Sequence, residues 1–237
     1  MKQILIIPDL HGRKFWREPV IKHLNDPNTH IVFLGDYLDP YTNIDEITAK
    51  EAFEEFKYLI QTVKTAKNVT MLLGNHDYVY LGNLVNLSSC RKDMERKYDI
   101  ATIFNDNNSL FKIAYEYDRY LFTHAGVILD WFNRVCPNQP LNSETLNTLI
   151  NNPHVLMQVS YERGGYSRDG SCIWADVYEH MFQKDIGYYQ IFAHSYQYTT
   201  KQPIIQPNFA MLDCAKAFML NLETGDIVEF DDKNLEN

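Results

Sequence analysis

The feature that most constrains this chain is a recurring junction, in which a short apolar, β-branched or aromatic run stops at a residue able to bind a metal. It occurs at Ile4 to Ile7 before Asp9, Ile31 to Leu34 before Asp36, Val69 to Leu73 before Asn75, Tyr120 to Phe122 before His124, and Tyr189 to Phe192 before His194. Runs this short and this rich in Ile, Val, Phe and Tyr read as strands. Between the second and third runs, Ala49, Ala52, Phe53, Phe56, Leu59, Ile60 and Val63 recur at three- and four-residue steps. That spacing predicts a helix, with Glu51, Glu54, Glu55 and Lys57 on its other face. Strand, helix, strand alternation implies α/β layers, and in open sheets of that kind ligands gather beyond the carboxyl ends of the strands. The polar residues stand at those ends.

The last part of the chain reads differently. Phe209 to Leu212, Ala217 to Leu222 and Asp226 to Phe230 are strand-like, and Glu223-Thr224-Gly225 joins the last two as a hairpin. Antiparallel strands here would enlarge or double the sheet. Leu141 to Asn152 is expected to be helical with Ser143 as its N-cap. The polar end Asp231-Asp232-Lys233 is expected to fray. With no internal repeat, low-complexity tract or Gly/Ser linker, one domain is the expectation.

Composition narrows the class. A 237-residue chain with 45% hydrophobic and 22% charged residues is that of an ordinary globular protein. Asp and Glu outnumber Lys and Arg by 31 to 22, for a net charge of −9, which repels long nucleic acids unless a local patch overrides it. Cys90, Cys136, Cys172 and Cys214 form no Cys-x-x-Cys pair and are expected to be reduced and buried. Ile4 to Ile7 is too short for a signal-peptide core and no segment approaches a membrane span, so the expectation is a soluble, cytoplasmic protein with no membrane partner.

The chemistry lies in the order of the motifs: Asp-x-His-Gly (Asp9, His11, Gly12), Gly-Asp-x-x-Asp (Gly35, Asp36, Asp39), Gly-Asn-His-Asp (Gly74, Asn75, His76, Asp77), Thr-His-Ala-Gly (Thr123, His124, Gly126) and Ala-His (His194). Oxygen and imidazole donors without thiolates suit hard or borderline divalent metals such as manganese, iron or zinc. Bringing Asp9, Asp36 and Asp39 together without cations would raise their pKa values by mutual repulsion, so a metal is the natural compensation.

In this order, from Asp9 to His194, these motifs resemble the calcineurin-like metallophosphoesterase superfamily. The arrangement is closest to its phosphoprotein phosphatase branch, which includes bacterial and phage serine/threonine phosphatases and the symmetrical diadenosine tetraphosphatases. The resemblance implies a layered α-β-β-α fold with mixed sheets and a metal site at the strand carboxyl ends, in a single domain of that type over residues 1–237. It implies two divalent metal ions, manganese first and iron or zinc as the other choices. Asp9 and His11 would bind the first metal, Asp36 would bridge both, and Asn75, His124 and His194 would bind the second. His76 would be the general acid, oriented by Asp39. The implied activity is hydrolysis of phosphate esters, as a phosphomonoesterase of the serine/threonine phosphatase type. The alternatives are a dinucleoside polyphosphate hydrolase, then a phosphodiesterase or nuclease, then an inactive binding module. The expected substrate is a phosphorylated small molecule, a nucleotide or a phosphoprotein.

The chain departs from that pattern in places. Ala193-His194-Ser195-Tyr196 offers one histidine where many superfamily members have two, a loss shared with the phosphoprotein phosphatase branch. Pro40 stands where relatives commonly place a phosphate-gripping arginine, and no arginine directly follows Trp174. Arg163, beside Gly164 and Gly165, is expected to replace that clamp, in preference to Arg168 or Arg13. Asp77 is expected to cap a helix or support a neighbouring loop, and Asp213 to be a supporting carboxylate or a turn residue in equal measure. Tyr37, Tyr41, Tyr78 and Tyr80 are expected to pack in the core or rim, with base stacking as the alternative. His23, His30, His154 and His180 match no ligand motif.

Overall fold

The computed structural model describes residues 1–81, 84, 90–183 and 185–231. Eleven strands form two sheets: β1 (Gln3–Ile7), β2 (Thr29–Phe33), β3 (Val69–Leu72), β4 (Phe111–Lys112), β5 (Ala114–Tyr117), β6 (Tyr120–Thr123), β7 (Tyr189–Phe192), β8 (Ile204–Ile205), β9 (Phe209–Met211), β10 (Phe218–Asn221) and β11 (Ile227–Glu229). The first sheet runs β11-β10-β1-β2-β3-β4 and the second β5-β6-β7-β9-β8. In the first, β1 through β4 are parallel, while β10 lies antiparallel to β1 and β11 to β10. In the second, β6, β7 and β9 are parallel, with antiparallel β5 and β8 at the edges. Both sheets are therefore mixed.

Side-chain alternation sorts the runs between two cores. Ile4, Ile6, Val32, Leu34 and Leu72 pack against Phe122, Ile191, Ala210 and Leu212 between the sheets. Leu5, Ile7, Ile31, Phe33 and Met71 point the other way, onto Phe53, Phe56, Leu59, Ile60 and Val63. Those residues are one face of the Ala49–Val63 helix, which Thr48 and Glu51 start with a reciprocal capping box. On the far face of the second sheet Phe192, Phe209 and Met211 pack with Val177 from the Val177–Met181 helix. The layers thus run helix, sheet, sheet, helix, the α/β arrangement expected. Burying a Phe or Leu side chain contributes about 2–3 kcal/mol, so strands apolar on both faces are held where they are.

The predicted strands and the Ala49–Val63 helix form as the sequence pattern implies, and the hairpin joins β10 to β11. The short β4, β5 and β8 have too few residues to show a period. Glu55 departs from the solvent face assigned to it: it is buried and accepts hydrogen bonds from Trp16 Nε1 at 2.9 Å and Arg17 Nε at 2.8 Å. Between Leu141 and Asn152 the α-helix covers only Ser143–Thr148, and its N-cap is Asn142 rather than Ser143, because the Asn142 side chain accepts from the Thr145 amide at 2.8 Å. Cys136, Cys172 and Cys214 are buried free thiols and Cys90 is half-buried. Asp232 and Lys233 lie outside the described residues. Among the described residues no helix is long and apolar enough to cross a membrane.

Candidate metal centre

After the strand ends the backbone turns sharply. His11, Asp36, Asp39 and His194 all have positive φ, at 46°, 53°, 60° and 70°. Non-glycine residues seldom adopt this left-handed region, and here it redirects each side chain toward a common point. Gly35 and Gly74 let the loops after β2 and β3 touch: a Cβ on Gly35 would meet the Gly74 nitrogen at 2.4 Å, and one on Gly74 would meet Asp36 Oδ1 at 2.1 Å. Asp77 fastens the same junction, accepting from the amides of Asp36 at 2.6 Å, Tyr37 at 3.0 Å and Gly74 at 2.9 Å. Its carboxylate supports the neighbouring loop.

Two buried groups result, each with ligand atoms within 4.8 Å of one another: Asp9, His11 and Asp36, and Asp36, His124 and His194. Asp36 belongs to both. The hydrogen bonds fix which imidazole nitrogens face inward. His11 Nδ1 donates to Leu38 O at 2.8 Å, which leaves the Nε2 lone pair 3.6 Å from Asp36 Oδ2. His124 Nδ1 donates to Leu34 O at 2.8 Å, which leaves its Nε2 3.6 Å from Asp36 Oδ2. That same Nε2 lies 3.0 Å from Asn75 Oδ1 and 3.0 Å from His194 Nδ1. Neither His124 Nε2 nor the Asn75 carbonyl oxygen then has a proton to offer the other, so the contact lacks a proton between its atoms. Among the described residues, Asp9 Oδ1 and His194 Nε2 are buried without a hydrogen-bond partner. Converging lone pairs, orphaned atoms and an all-oxygen-and-nitrogen donor set fit divalent cations.

Electrostatics agree. Burial pushes His11 down to about 3, and burial also lowers His124 and His194, with the Arg163 charge adding to the effect on His194. All three rings are neutral at pH 7, the form that ligates metal. Burial, with Asp213 and Asp36 nearby, raises Asp9 well above the usual carboxylate range. Asp36 goes the opposite way: burial opposes its ionisation, but His124, His76 and His11 hold it below its ordinary value. A cation beside Asp9 would relieve the strain that burial and repulsion place on its charge.

His76 stands next to these groups, its ring 5.2 Å from that of His11. Its Nδ1 donates to Asp39 Oδ2 at 3.0 Å and Arg91 O at 3.1 Å, leaving Nε2 as the exchangeable site. Burial alone would lower the imidazole, but the charge of Asp36 and the hydrogen bond and charge of Asp39 raise it above 6.5. Asp39 is held in turn by the Tyr80 hydroxyl at 2.7 Å. Arg163 lies beside the second group, where its Nη2 donates to His194 O and, at 3.1 Å, to Ser195 Oγ, and its Nε stands 3.0 Å from Asp176 Oδ2. Arg13 is forked to Asp45, and Arg168 pairs with Asp130 on the surface. Asp213 is buried against Asp9, and its pKa is raised to about 7 by burial, with Arg13 opposing.

Tyr37, Tyr78 and Tyr80 are core residues, whereas Tyr41 lies at the site with its ring 4.8 Å from His11. Arg91 and Tyr196, which contact Tyr41, carry no sequence signal: Arg91 comes from a remote loop, and loops have no period to place them. His180 Nε2 donates to Ala125 O, His30 stacks on Tyr115, and His23 contacts Thr29, so these three are structural. His154 is exposed.

Residues 2–198 match the family model described as calcineurin-like phosphoesterase. The fold is similar to that of a cold-active protein-tyrosine phosphatase of a psychrophilic Shewanella species, at a TM-score of 0.58 and 15% identity over 98% of this chain and 81% of that one. It is also similar to a protein serine/threonine phosphatase from Saccharomyces cerevisiae, at a TM-score of 0.53 and 14% identity over 97% of this chain and 80% of that one. At such identities the likeness concerns the fold. No curated protein matches the chain.

Proposed function

Since the chain belongs to the calcineurin-like phosphoesterase family, we propose that it is a two-metal phosphomonoesterase acting as a single domain. The observation that carries this reading is the pair of buried Asp/His groups sharing Asp36. Asp9, His11 and Asp36 would hold the first ion, and Asp36, Asn75, His124 and His194 the second, with manganese as the first choice for oxygen and imidazole donors. Bound there, divalent cations supply Lewis acidity toward water and the phosphoryl oxygens.

This chain's own residues do the rest. His76 gives a proton from Nε2 to the leaving oxygen, and Asp39 keeps its ring oriented and charged. Tyr80 and the Asp93 amide fix Asp39 by hydrogen bonds to Oδ1 at 2.7 and 3.2 Å. Arg163 places a guanidinium beside His194 and is the phosphate-side cation in this reading. Burial of the cluster strengthens each of these interactions.

The test is the initial rate on p-nitrophenyl phosphate, bis-p-nitrophenyl phosphate, a phosphoserine peptide and diadenosine tetraphosphate, using metal-stripped protein reloaded with manganese. Turnover of the monoesters that a chelator abolishes and manganese restores is expected. Chelator-resistant turnover, or none on any of these substrates, would overturn the proposal.

A further inference from the structure

The rim on the His76 side is built as a stack of two rings between two guanidinium groups. Arg91, exposed, lays its guanidinium carbon 3.7 Å from the centroid of the Tyr41 ring and donates from Nη2 to Asp39 O at 3.2 Å. Tyr196 stacks on Tyr41 at 5.9 Å with an interplanar angle of 25°, and Arg13 lies 4.6 Å from Tyr196. Arg13 cannot drift, because it is buried and forked to Asp45 at 3.0 and 2.8 Å. Guanidinium groups are attracted to aromatic faces, so the stack holds Arg91 in place before substrate arrives. Arg13 is charge-paired with Asp45, whereas Arg91 donates to the Asp39 carbonyl, lies over the Tyr41 ring and stands in the field of His76.

The position of this cation defines what it meets. Arg91 O accepts from His76 Nδ1, so Arg91 is attached to the proposed general acid itself. The leaving group lies on the side of the acid. A planar guanidinium there, on a chain of net charge −9 that otherwise repels polyanions, selects for an anion in the leaving group. The Tyr41 ring already carries the Arg91 guanidinium and stacks with Tyr196, so a base would have to compete with both for it. We propose that Arg91, held over the Tyr41 ring, is a specificity-determining residue that binds a second phosphate carried by the leaving group. The preferred substrates are those whose hydrolysis releases a phosphorylated product.

The step balances with water alone. Water oxygen bonds to the terminal phosphorus, the bond from that phosphorus to the bridging oxygen breaks, and the bridging oxygen takes the His76 proton. The proton given up by water restores His76, and orthophosphate and a phosphorylated leaving group depart. The inference rests on the phosphoesterase reading above.

The experiment compares ADP, whose leaving group is AMP, with AMP, whose leaving group is uncharged adenosine. Kcat/KM and calorimetric Kd are measured for both in the manganese-loaded wild type, Arg91→Ala, Arg91→Lys and the distant control Arg168→Ala. Arg91→Ala is expected to weaken ADP by about tenfold more than AMP in both quantities, with Arg91→Lys intermediate and Arg168→Ala leaving the ratio unchanged. The ratio cancels the greater intrinsic reactivity of the anhydride. An equal loss for both nucleotides, or no loss, overturns the assignment to Arg91. Turnover of p-nitrophenyl phosphate in the same preparations separates the two failures: if it is absent, the phosphoesterase reading fails, while the calorimetric ratio still decides the role of Arg91.

Discussion

The two ligand groups around Asp36 are unlike in their surroundings. The second, with Asn75, His124 and His194, is buried on the strand ends of both sheets and braced by Arg163, so its neighbours are the fixed parts of the fold. The first, with Asp9 and His11, is equally buried, but its His11 ring meets Tyr41, which belongs to a rim of arginines contributed by loops. In the proposed reading the labour is divided: the strand ends would supply the metal-dependent chemistry, and the loops beside the first group would select what is admitted.

Substitutions at the shared residue would break this comparison most severely. Asp36→Asn is expected to empty both groups and lower kcat/KM by more than about a thousandfold, read by metal content and rate together. His76→Asn should keep both metals and cost about a hundredfold to ten-thousandfold in kcat, most for substrates with poor leaving groups, since general acid catalysis contributes on that scale. Loss of metal in His76→Asn would contradict the separation of binding from proton transfer.

The pH profile sharpens the same point. His76 acts protonated, and Asp36 and Asp39 raise its pKa, so the rate is expected to fall on the alkaline side only above the ordinary imidazole value of 6.5. Asp39→Asn removes one raising charge and should move that alkaline limb to lower pH while metal content stays at the wild-type level. An unmoved limb would remove Asp39 from its role. The smallest expected effect is at Arg163: Arg163→Ala should raise KM or lower kcat by about tenfold on a phosphate ester, the worth of one charge-assisted contact. Unchanged kcat and KM would exclude it as the phosphate-side cation.

Much of the architecture was legible because its strands are short, apolar and each closed by one polar residue. Ile4 to Ile7 before Asp9 and Ile31 to Leu34 before Asp36 carry that signal directly, and the three- and four-residue steps from Ala49 to Val63 mark their helix. Where local chemistry was ambiguous the reading slipped by one residue, as at Asn142, since Asn and Ser compete for the same capping role. Glu55 was misplaced because its partners, Trp16 and Arg17, come from a different segment. The same reason hid the rim: Arg91, Tyr41, Tyr196 and Arg13 meet only in three dimensions. Asp213, left undecided by its sequence context, proves to be buried against Asp9.

In the proposed reading Asp36 serves two metal sites at once. Its direct test is the manganese content per chain, measured by mass spectrometry after stripping and reloading, in the wild type, His11→Ala, His194→Ala and Asp36→Asn. Two ions, one, one and none are expected. A wild type that binds a single ion, or single-histidine variants that lose both or neither, would contradict it.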